Sequence, residues 1–217
     1  MFDLDGTLVD SAPDLHHCTN ILMDELGLPA LDLETVTGFI GHGVGPLVAS
    51  ALAHNNLPLK DEALAQMIAR FTDIYAADPA KFCQPFEGVM DTLTILKSKG
   101  HKMAICTNKA IRLARLVVDA LGLDEFCPVL IGGDSLPYRK PAPVPVYECL
   151  RLLQHTTGEA YLYVGDSETD AKTAENANTY FFLHSKGYRK KTVDELYHTD
   201  VFDHWGHFIP KMNALNL

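Results

Sequence analysis

The chain has 217 residues, of which 47% are apolar, and its formal net charge is −10. This length suits one globular unit or a core with a large insertion. The negative charge argues against nucleic acid as a partner, because binding it requires clustered Lys and Arg, but it allows a small anionic ligand. Five cysteines without a CxxC pair indicate neither a zinc site nor a disulfide framework. Because no apolar run reaches membrane-spanning length and no secretion signal opens the sequence, we expect a cytoplasmic protein without membrane contact.

The chain opens with two carboxylates two residues apart, in the DxDGT sequence at 3–7. The apolar start predicts a strand with Asp3 at its carboxyl end, and a turn at Gly6 would direct Asp3 and Asp5 at one point. An ordinary strand followed by an Asp-Gly turn is the alternative. Buried parallel strands usually have about five residues, so we expect either a shortened strand or further apolar residues upstream of Met1.

The block 12–83 has helical periodicity and almost no strand pattern. Apolar residues at steps of three or four predict helices over 12–28, 33–40, 44–53 and 60–77. Gly41, His42 and Gly43 lie between the second and third helix, where alternating glycines allow the backbone to approach a ligand closely. A plain connection between helices is the alternative. We expect this block to be a cap inserted after the first strand.

From residue 88 onward, predicted helices and strands alternate. Helices are predicted over 88–99, 109–121, 143–154 and 169–177, and short apolar strands over 102–106, 129–131, 160–164 and 180–183. This alternation predicts an α/β fold with a parallel sheet that is covered on both faces. The catalytic core would comprise 1–11 and 84–217, and the helical cap would comprise 12–83.

Polar residues lie where three of the predicted strands end. Asp3, Thr107 and Asp166 occupy these positions, and ligands of open α/β sheets bind beyond the carboxyl ends of the strands. Asp166 and Asp170 are four residues apart and can both face Asp3. Three carboxylates without His or Cys favour a hard cation, so Mg²⁺ fits better than zinc. Helix capping is the alternative for Asp166 and Asp170.

Lys140 and Thr107 can supply the groups that an anion next to these carboxylates requires. A lysine neutralises charge and holds an anion, and the hydroxyl and backbone N–H groups of Thr107 and Asn108 form an anion cradle. Solvent exposure of Lys140 and simple helix capping by Thr107 are the alternatives.

Together these residues fit phosphoryl transfer, which depends on positioning and electrostatics. Asp3 would attack phosphorus to give an aspartyl-phosphate, and Asp5 would act as acid and then as base. Asp3, the backbone carbonyl of Asp5, and Asp166 would bind Mg²⁺, with Asp170 acting directly or through a water.

The chain resembles the haloacid dehalogenase superfamily over nearly its whole length. The sequence at 3–7 is similar to the first motif of that family, and Thr107, Lys140 and 165–170 are similar to the second, third and fourth. The resemblance implies a Rossmann-like doubly wound core, a C1-type cap and Mg²⁺-dependent phosphatase activity. Asn178 stands where the family usually has Gly, but Asn tolerates a left-handed backbone, so we expect the turn to be kept.

Within the superfamily, the stretches 11–15, 39–43 and 131–137 are similar to phosphoglycolate phosphatases. This resemblance implies that 2-phosphoglycolate is the substrate and that the loop with Gly41, His42 and Gly43 reaches the active site. Another phosphotransfer activity is an alternative: a sugar-phosphate phosphatase, a mutase or a pyrophosphatase. Asp5 argues against a dehalogenase, because the departing halide needs no acid. A non-catalytic binding protein is disfavoured because Asp3, Asp5 and Lys140 are all present. Oligomeric state is not indicated by the sequence.

Overall fold

The computed structural model of the chain describes residues 1–156 and 158–215. Four helices follow the DxDGT sequence at 3–7: α1 (Ala12–Glu25), α2 (Leu33–Thr37), α3 (Val44–His54) and α4 (Asp61–Ala77). α1 packs against α2 and α4, and α3 packs against α4. These four helices therefore form a compact layer of their own, in the region proposed to be the cap.

The chain leaves and re-enters the core through a short antiparallel ribbon. β1 (Val9–Asp10) pairs with β2 (Gln84–Pro85), with Val9 opposite Pro85. The Asp14 carboxylate, in the first turn of α1, accepts hydrogen bonds from the backbone N–H groups of Phe82 and Cys83 at 2.8 and 2.9 Å. The two connections to the helical layer are therefore tied to each other at the proposed domain boundary.

The main sheet is parallel. Its strands are β3 (Ala104–Cys106), β4 (Val129–Ile131), β5 (Leu162–Gly165), β6 (Tyr180–His184) and β7 (Asp200–Phe202). β3 pairs with β4, β5 pairs with β6, and β6 pairs with β7, each in parallel register. The helices of this part are α5 (Val89–Ser98), α6 (Ile111–Ala120), α7 (Val144–Leu152), α8 (Glu168–Ala177) and α9 (Phe208–Ala214). The predicted α/β core with a parallel sheet is confirmed.

Residues 1–3 join the two parts of this sheet. Phe2 N–H donates to the carbonyl of Ala104 at 2.9 Å, and Phe2 accepts from Cys106 N–H at 2.8 Å. On the other side, Asp3 N–H donates to the carbonyl of Val164 at 2.8 Å. The segment therefore acts as a short central strand between β3 and β5, and neighbours on both sides compensate for its length.

Alternate residues of the strands point to opposite faces of the sheet. Phe2, Ile105, Val164 and Phe182 belong to one buried apolar cluster, which also includes the cap helices. Ala104, Cys106, Tyr163 and Phe181 belong to a second cluster on the other face. Both faces are therefore covered, as the continuous apolar strands predicted.

The region after β6 completes the first cluster. Trp205 is 1% exposed and contacts the rings of Phe2, Phe202 and Phe208.

The turn after α8 is left-handed at Asn178, with φ 51° and ψ 53°, which confirms the expectation for this residue. Every helix in 1–156 and 158–215 is too short or too polar to cross a membrane.

Candidate active site

The loop after the central segment has a backbone that requires glycine at one position. Gly6 has φ 82°, and a Cβ atom there would lie 2.4 Å from Oδ2 of Asp166. His184 contacts the carbonyl of Gly6 through Nδ1 at 2.9 Å, from the buried end of β6. The loop is therefore held close to Asp166, with Asp3 at its start.

Three carboxylates meet at the carboxyl end of the sheet. Asp3, Asp166 and Asp170 are buried, and one oxygen atom of each lies within 4.8 Å of the others. Asp166 accepts hydrogen bonds from Thr7 Oγ1 and from the backbone N–H of Tyr188, both at 2.7 Å. The side chain of Asp5 does not belong to this cluster, which agrees with a metal-binding role for its backbone carbonyl only.

Lys140 lies among these carboxylates and is buried. Its Nζ is 2.6 Å from Asp170 Oδ1 and 2.9 Å from Asp3 Oδ1. The contact with Asp3 is an ion pair between the ammonium group and the carboxylate. Tyr163 Oη is 2.9 Å from Lys140 Nζ and 3.0 Å from Asp170 Oδ1. Lys140 is thus fixed by three oxygen atoms.

Asp170 has little capacity for a further ligand. Its Oδ2 accepts from the backbone N–H of Ser167 at 3.0 Å and from Ser167 Oγ at 2.6 Å. Its Oδ1 contacts Lys140 and Tyr163, as described above. The geometry therefore favours a role for Asp170 in orienting Lys140 over direct metal binding.

Burial and mutual repulsion change the acidity of the cluster. Burial and the charge of Asp170 raise the pKa of Asp3 to about 7, although Lys140 acts in the opposite direction. Burial, together with Asp170 and Asp3, raises the pKa of Asp166 well above its ordinary value. Burial also disfavours the ionised form of Asp170, but Lys140 and the hydrogen bonds from Ser167 together outweigh burial and lower its pKa. Full ionisation of the cluster therefore requires more positive charge than Lys140 provides.

These residues fit a divalent cation. The carboxylates of Asp3 and Asp166 lie close together and are oxygen ligands of the kind that hard cations prefer. A cation bound there would supply the positive charge that the ionised cluster requires.

Thr107 and Asn108 follow β3 and lie beside the carboxylates. Thr107 is 4% exposed, and its Oγ1 accepts from the backbone N–H of Lys109 at 3.2 Å, which leaves its own proton for another acceptor. Asn108 Nδ2 donates to the carbonyl of Lys140 at 3.1 Å and lies 3.4 Å from the carbonyl of Gly41. The predicted anion cradle is thus next to Lys140 and the glycine loop.

The loop with Gly41, His42 and Gly43 forms one wall of a cavity of about 260 Å³. His42 Nδ1 is 3.5 Å from Thr169 Oγ1, and Arg139 donates to the His42 carbonyl at 3.3 Å. The cavity reaches Asp3, Asp5, Thr107, Asn108 and Asp166, and its lining includes Lys190 and Lys191. Its size suits a small ligand. Lys190 and Lys191 add positive charge that attracts an anion, and Glu168, which also lines the cavity, accepts hydrogen bonds from their backbone N–H groups at 2.7 and 2.6 Å.

Three residues with direct contacts to this site were not identified from the sequence. Lys109 Nζ is 3.0 Å from Asp5 Oδ1, and Tyr163 contacts Lys140 and Asp170. The third, Tyr188, donates from Oη to Asp10 at 2.7 Å, so it links Asp166 to the ribbon formed by β1 and β2. Lys109 directly follows Thr107 and Asn108 in the sequence, and this position is the feature from which its place in the site could have been predicted.

Comparison with known proteins agrees with this geometry. The family described as haloacid dehalogenase-like hydrolase matches residues 1–183. The chain is 41% identical to a phosphoglycolate phosphatase of Cereibacter sphaeroides over 204 residues, which are 94% of this chain and 92% of that protein. It is 38% identical to a phosphoglycolate phosphatase of Rhodobacter capsulatus, over 93% of this chain and 90% of that one.

A crystal structure of a protein from Haemophilus somnus 129PT, described as a predicted phosphoglycolate phosphatase, superposes with a TM-score of 0.90. The two chains are 27% identical, and the match covers 97% of this chain and 96% of the other. The resemblance inferred from the four motifs is confirmed: the chain belongs to the haloacid dehalogenase-like hydrolase family.

Proposed function

We propose that this phosphoric monoester hydrolase is Mg²⁺-dependent and acts on 2-phosphoglycolate through an aspartyl-phosphate intermediate. The observation that supports this proposal most directly is the position of Asp3. Its carboxylate lies at the end of the central segment, 2.9 Å from Lys140 Nζ, and faces the cavity beside Thr107. A carboxylate in that position can approach a phosphate dianion only if nearby cations offset the repulsion.

In the proposed first step, an Asp3 oxygen attacks phosphorus opposite the ester oxygen. The P–O bond to the alcohol breaks, and Asp5 gives its proton to the departing alkoxide. Thr107 and Asn108 donate hydrogen bonds to the phosphoryl oxygens, and Lys140 stabilises the negative charge. The products of this step are the free alcohol and a phosphorylated Asp3.

In the second step, Asp5 is a carboxylate and takes a proton from a water molecule. The water oxygen attacks phosphorus, the acyl phosphate bond breaks, and Asp3 leaves as a carboxylate. Inorganic phosphate is released, and Asp5 is again protonated for the next cycle. The same residue thus serves as acid and base in turn.

We assign the metal site to Asp3, the backbone carbonyl of Asp5, and Asp166, with Asp170 holding Lys140 in place. Mg²⁺ bound there would add positive charge next to the phosphate and reduce its repulsion with Asp3. Among hard cations, Mg²⁺ is favoured because the set provides few carboxylates and leaves room for water and phosphate ligands.

The choice of 2-phosphoglycolate is supported by the similarity of the chain to phosphoglycolate phosphatases and by the small volume of the cavity. This substrate is compact and has a carboxylate in addition to its phosphate. The cavity is small, and His42, Lys190 and Lys191 are among the residues that line it. We propose that these residues bind the carboxylate, which would favour this substrate over uncharged phosphomonoesters.

The test is phosphate release by wild type and Asp3→Asn, with and without Mg²⁺, from p-nitrophenyl phosphate and from a panel of small phosphorylated metabolites. Asp3→Asn should lower kcat at least about 10³-fold on every substrate, because it removes the nucleophile. Asp119→Asn, at an exposed position of α6, is the control and should match wild type. Substantial turnover by Asp3→Asn would show that Asp3 is not the nucleophile. If kcat/KM is higher for a sugar phosphate or pyrophosphate than for 2-phosphoglycolate, then 2-phosphoglycolate is not the preferred substrate.

A further inference from the structure

Lys109 is a buried cation that the proposed reaction does not use. It lies between β3 and α6, and its side chain is 3% exposed. Its Nζ donates to Asp5 Oδ1 at 3.0 Å. The side chain therefore places a cationic group next to Asp5.

The two buried lysines of the site contact different carboxylates. Lys140 pairs with Asp3 and Asp170, whereas Lys109 pairs with Asp5. The nucleophile and the acid/base thus have separate cations. An ionic contact of this kind restricts the rotamers of a carboxylate, and proton transfer requires the carboxylate to stay within hydrogen-bond reach of its partner.

The second neighbour of Lys109 comes from the helical layer. Its Nζ lies 4.5 Å from the ring centroid of Tyr75, on α4. Tyr75 is fully buried and stacks on Phe71 of the same helix. An ammonium over the face of an aromatic ring is stabilised by the ring quadrupole, more strongly when water is excluded. α4 also packs against α6, so Lys109 lies where the helical layer meets the core.

We propose that Lys109 is a positioning residue for Asp5, and that Tyr75 of the cap holds Lys109 in place. This inference rests on the proposed function, because it takes Asp5 to be the acid and base. Asp5 is fixed only when α4 lies against the core. The helical layer then contributes to proton transfer as well as to covering the cavity.

The first arm of the test is a double-mutant cycle between positions 109 and 5, with p-nitrophenyl phosphate as the substrate. Lys109→Met should lower kcat about 10- to 100-fold and change KM less than about threefold, because it disturbs the transition state and not substrate binding. Lys109→Arg should recover at least about a tenth of the wild-type kcat, since it restores the charge. In the Asp5→Asn background, Lys109→Met should have less than about a twofold effect.

The second arm tests the contribution of the cap. Tyr75→Leu removes the ring over Lys109 and should lower kcat about 3- to 10-fold. Phe71→Leu is the matched control, because it removes a buried ring of α4 that does not contact Lys109. It should lower the melting temperature as Tyr75→Leu does while leaving kcat unchanged.

Three outcomes would overturn the inference: unchanged kcat in Lys109→Met, equal losses from Lys109→Met in the wild-type and Asp5→Asn backgrounds, or equal effects of Tyr75→Leu and Phe71→Leu on kcat. If Lys109→Met does not fold, Lys109→Gln replaces it in the cycle. Wild-type activity of Asp5→Asn would instead contradict the proposed function. The experiments therefore distinguish a failure of the proposed role of Lys109 from a failure of the proposed function.

Discussion

At the scale of single residues, Tyr163 shows how an aromatic side chain in a core strand can organise a charged site. It lies on β5 and is fully buried. Its hydroxyl lies 2.9 Å from Lys140 Nζ and 3.0 Å from both Asp170 Oδ1 and the carbonyl of Cys106. Without this hydroxyl, Lys140 keeps its charge partners but loses the contact that restricts its direction.

We therefore expect Tyr163→Phe to lower kcat about 10-fold and the free energy of unfolding by about 1 kcal/mol, since one buried hydroxyl loses its partners. Tyr161→Phe is the control, because Tyr161 Oη donates to the carbonyl of Ala177 at 2.9 Å, away from the site. Both variants should lose similar stability in chemical denaturation, but only Tyr163→Phe should lose activity. Equal kcat values for the two variants would contradict a role for Tyr163 in orienting Lys140.

The residues that could be predicted from the sequence are those that follow strands. Asp3, Thr107 and Asp166 each come at a strand end, and a local pattern is enough to find such positions. Lys109 and Tyr163 differ, because their importance depends on partners elsewhere in the chain. Lys109 contacts a carboxylate 104 residues away, and Tyr163 looks like an ordinary apolar strand residue. Local sequence contains no information about such pairings.

At the scale of elements, the glycine loop before α3 is one part of the helical layer that contacts the core loop after β3. Gly43 has φ 86° and ψ 176°, a conformation that essentially only glycine adopts. A Cβ atom at Gly43 would lie 3.0 Å from the carbonyl oxygen of Asn108. The close approach of the two loops therefore depends on the absence of a side chain.

We expect Gly43→Ala to lower the free energy of unfolding by about 1–3 kcal/mol and kcat/KM about 10-fold, because it moves the loop away from Asn108. Gly27→Ala is the control: Gly27 also has a positive φ, 65°, but a Cβ atom there has nothing within 4 Å. Thermal unfolding should show a lower melting temperature for both variants. Steady-state kinetics should show a lower kcat/KM for Gly43→Ala alone. Equal kcat/KM values would argue against a contribution of this loop to the site.

His42, in the same loop, is expected to affect substrate choice. It lines the cavity, and its Nδ1 lies 3.5 Å from Thr169 Oγ1. His42→Ala should reduce kcat/KM for 2-phosphoglycolate about 10-fold more than for p-nitrophenyl phosphate, which has no carboxylate to bind. Equal losses on both substrates would assign His42 to catalysis or folding instead.

Most helices and strands up to residue 183 could be predicted from the sequence, and the observed ends of those that were predicted differ from the predicted ones by at most three residues. The two-residue strands β1 and β2 were not predicted. Periodicity identifies such elements because each has one apolar face or a continuous apolar run. The sequence patterns predict no element after residue 183, where β7 and α9 are short. Trp205 and Phe208 anchor that region through ring contacts with Phe2, a tertiary effect that local periodicity does not contain.

At the scale of the whole molecule, the buried carboxylates link stability to pH and to the cation. An unfolded Asp titrates near pH 4, whereas the pKa of Asp3 in the folded protein is about 7. Between these values the folded protein retains a proton that the unfolded chain has lost. The stability from protonated Asp3 is therefore complete below about pH 4 and is lost as the pH rises through about 7. Asp166, whose pKa is also raised, acts in the same direction.

We therefore expect the melting temperature in EDTA to fall as the pH rises from 4.5 to 7.5, and MgCl₂ to restore it more at pH 7.5 than at pH 5. Metal binding requires ionised carboxylates, so its stabilisation grows with pH. Asp3→Asn isolates the Asp3 contribution, and in that variant both trends should be weaker. If MgCl₂ raises the melting temperature by the same amount at both pH values, this would contradict a cation bound by this cluster.

The central segment 1–3 has a consequence for synthesis of the protein. It pairs with 104–106 on one side and with 162–164 on the other. Residues 1–3 leave the ribosome before both of these neighbours, and the later neighbour follows on the order of ten to thirty seconds afterwards at ordinary translation rates. The nascent chain can therefore form its helical layer early, but Asp3 has no fixed position until β5 emerges. Enzymatic activity during translation should appear only in nascent chains that extend beyond this strand.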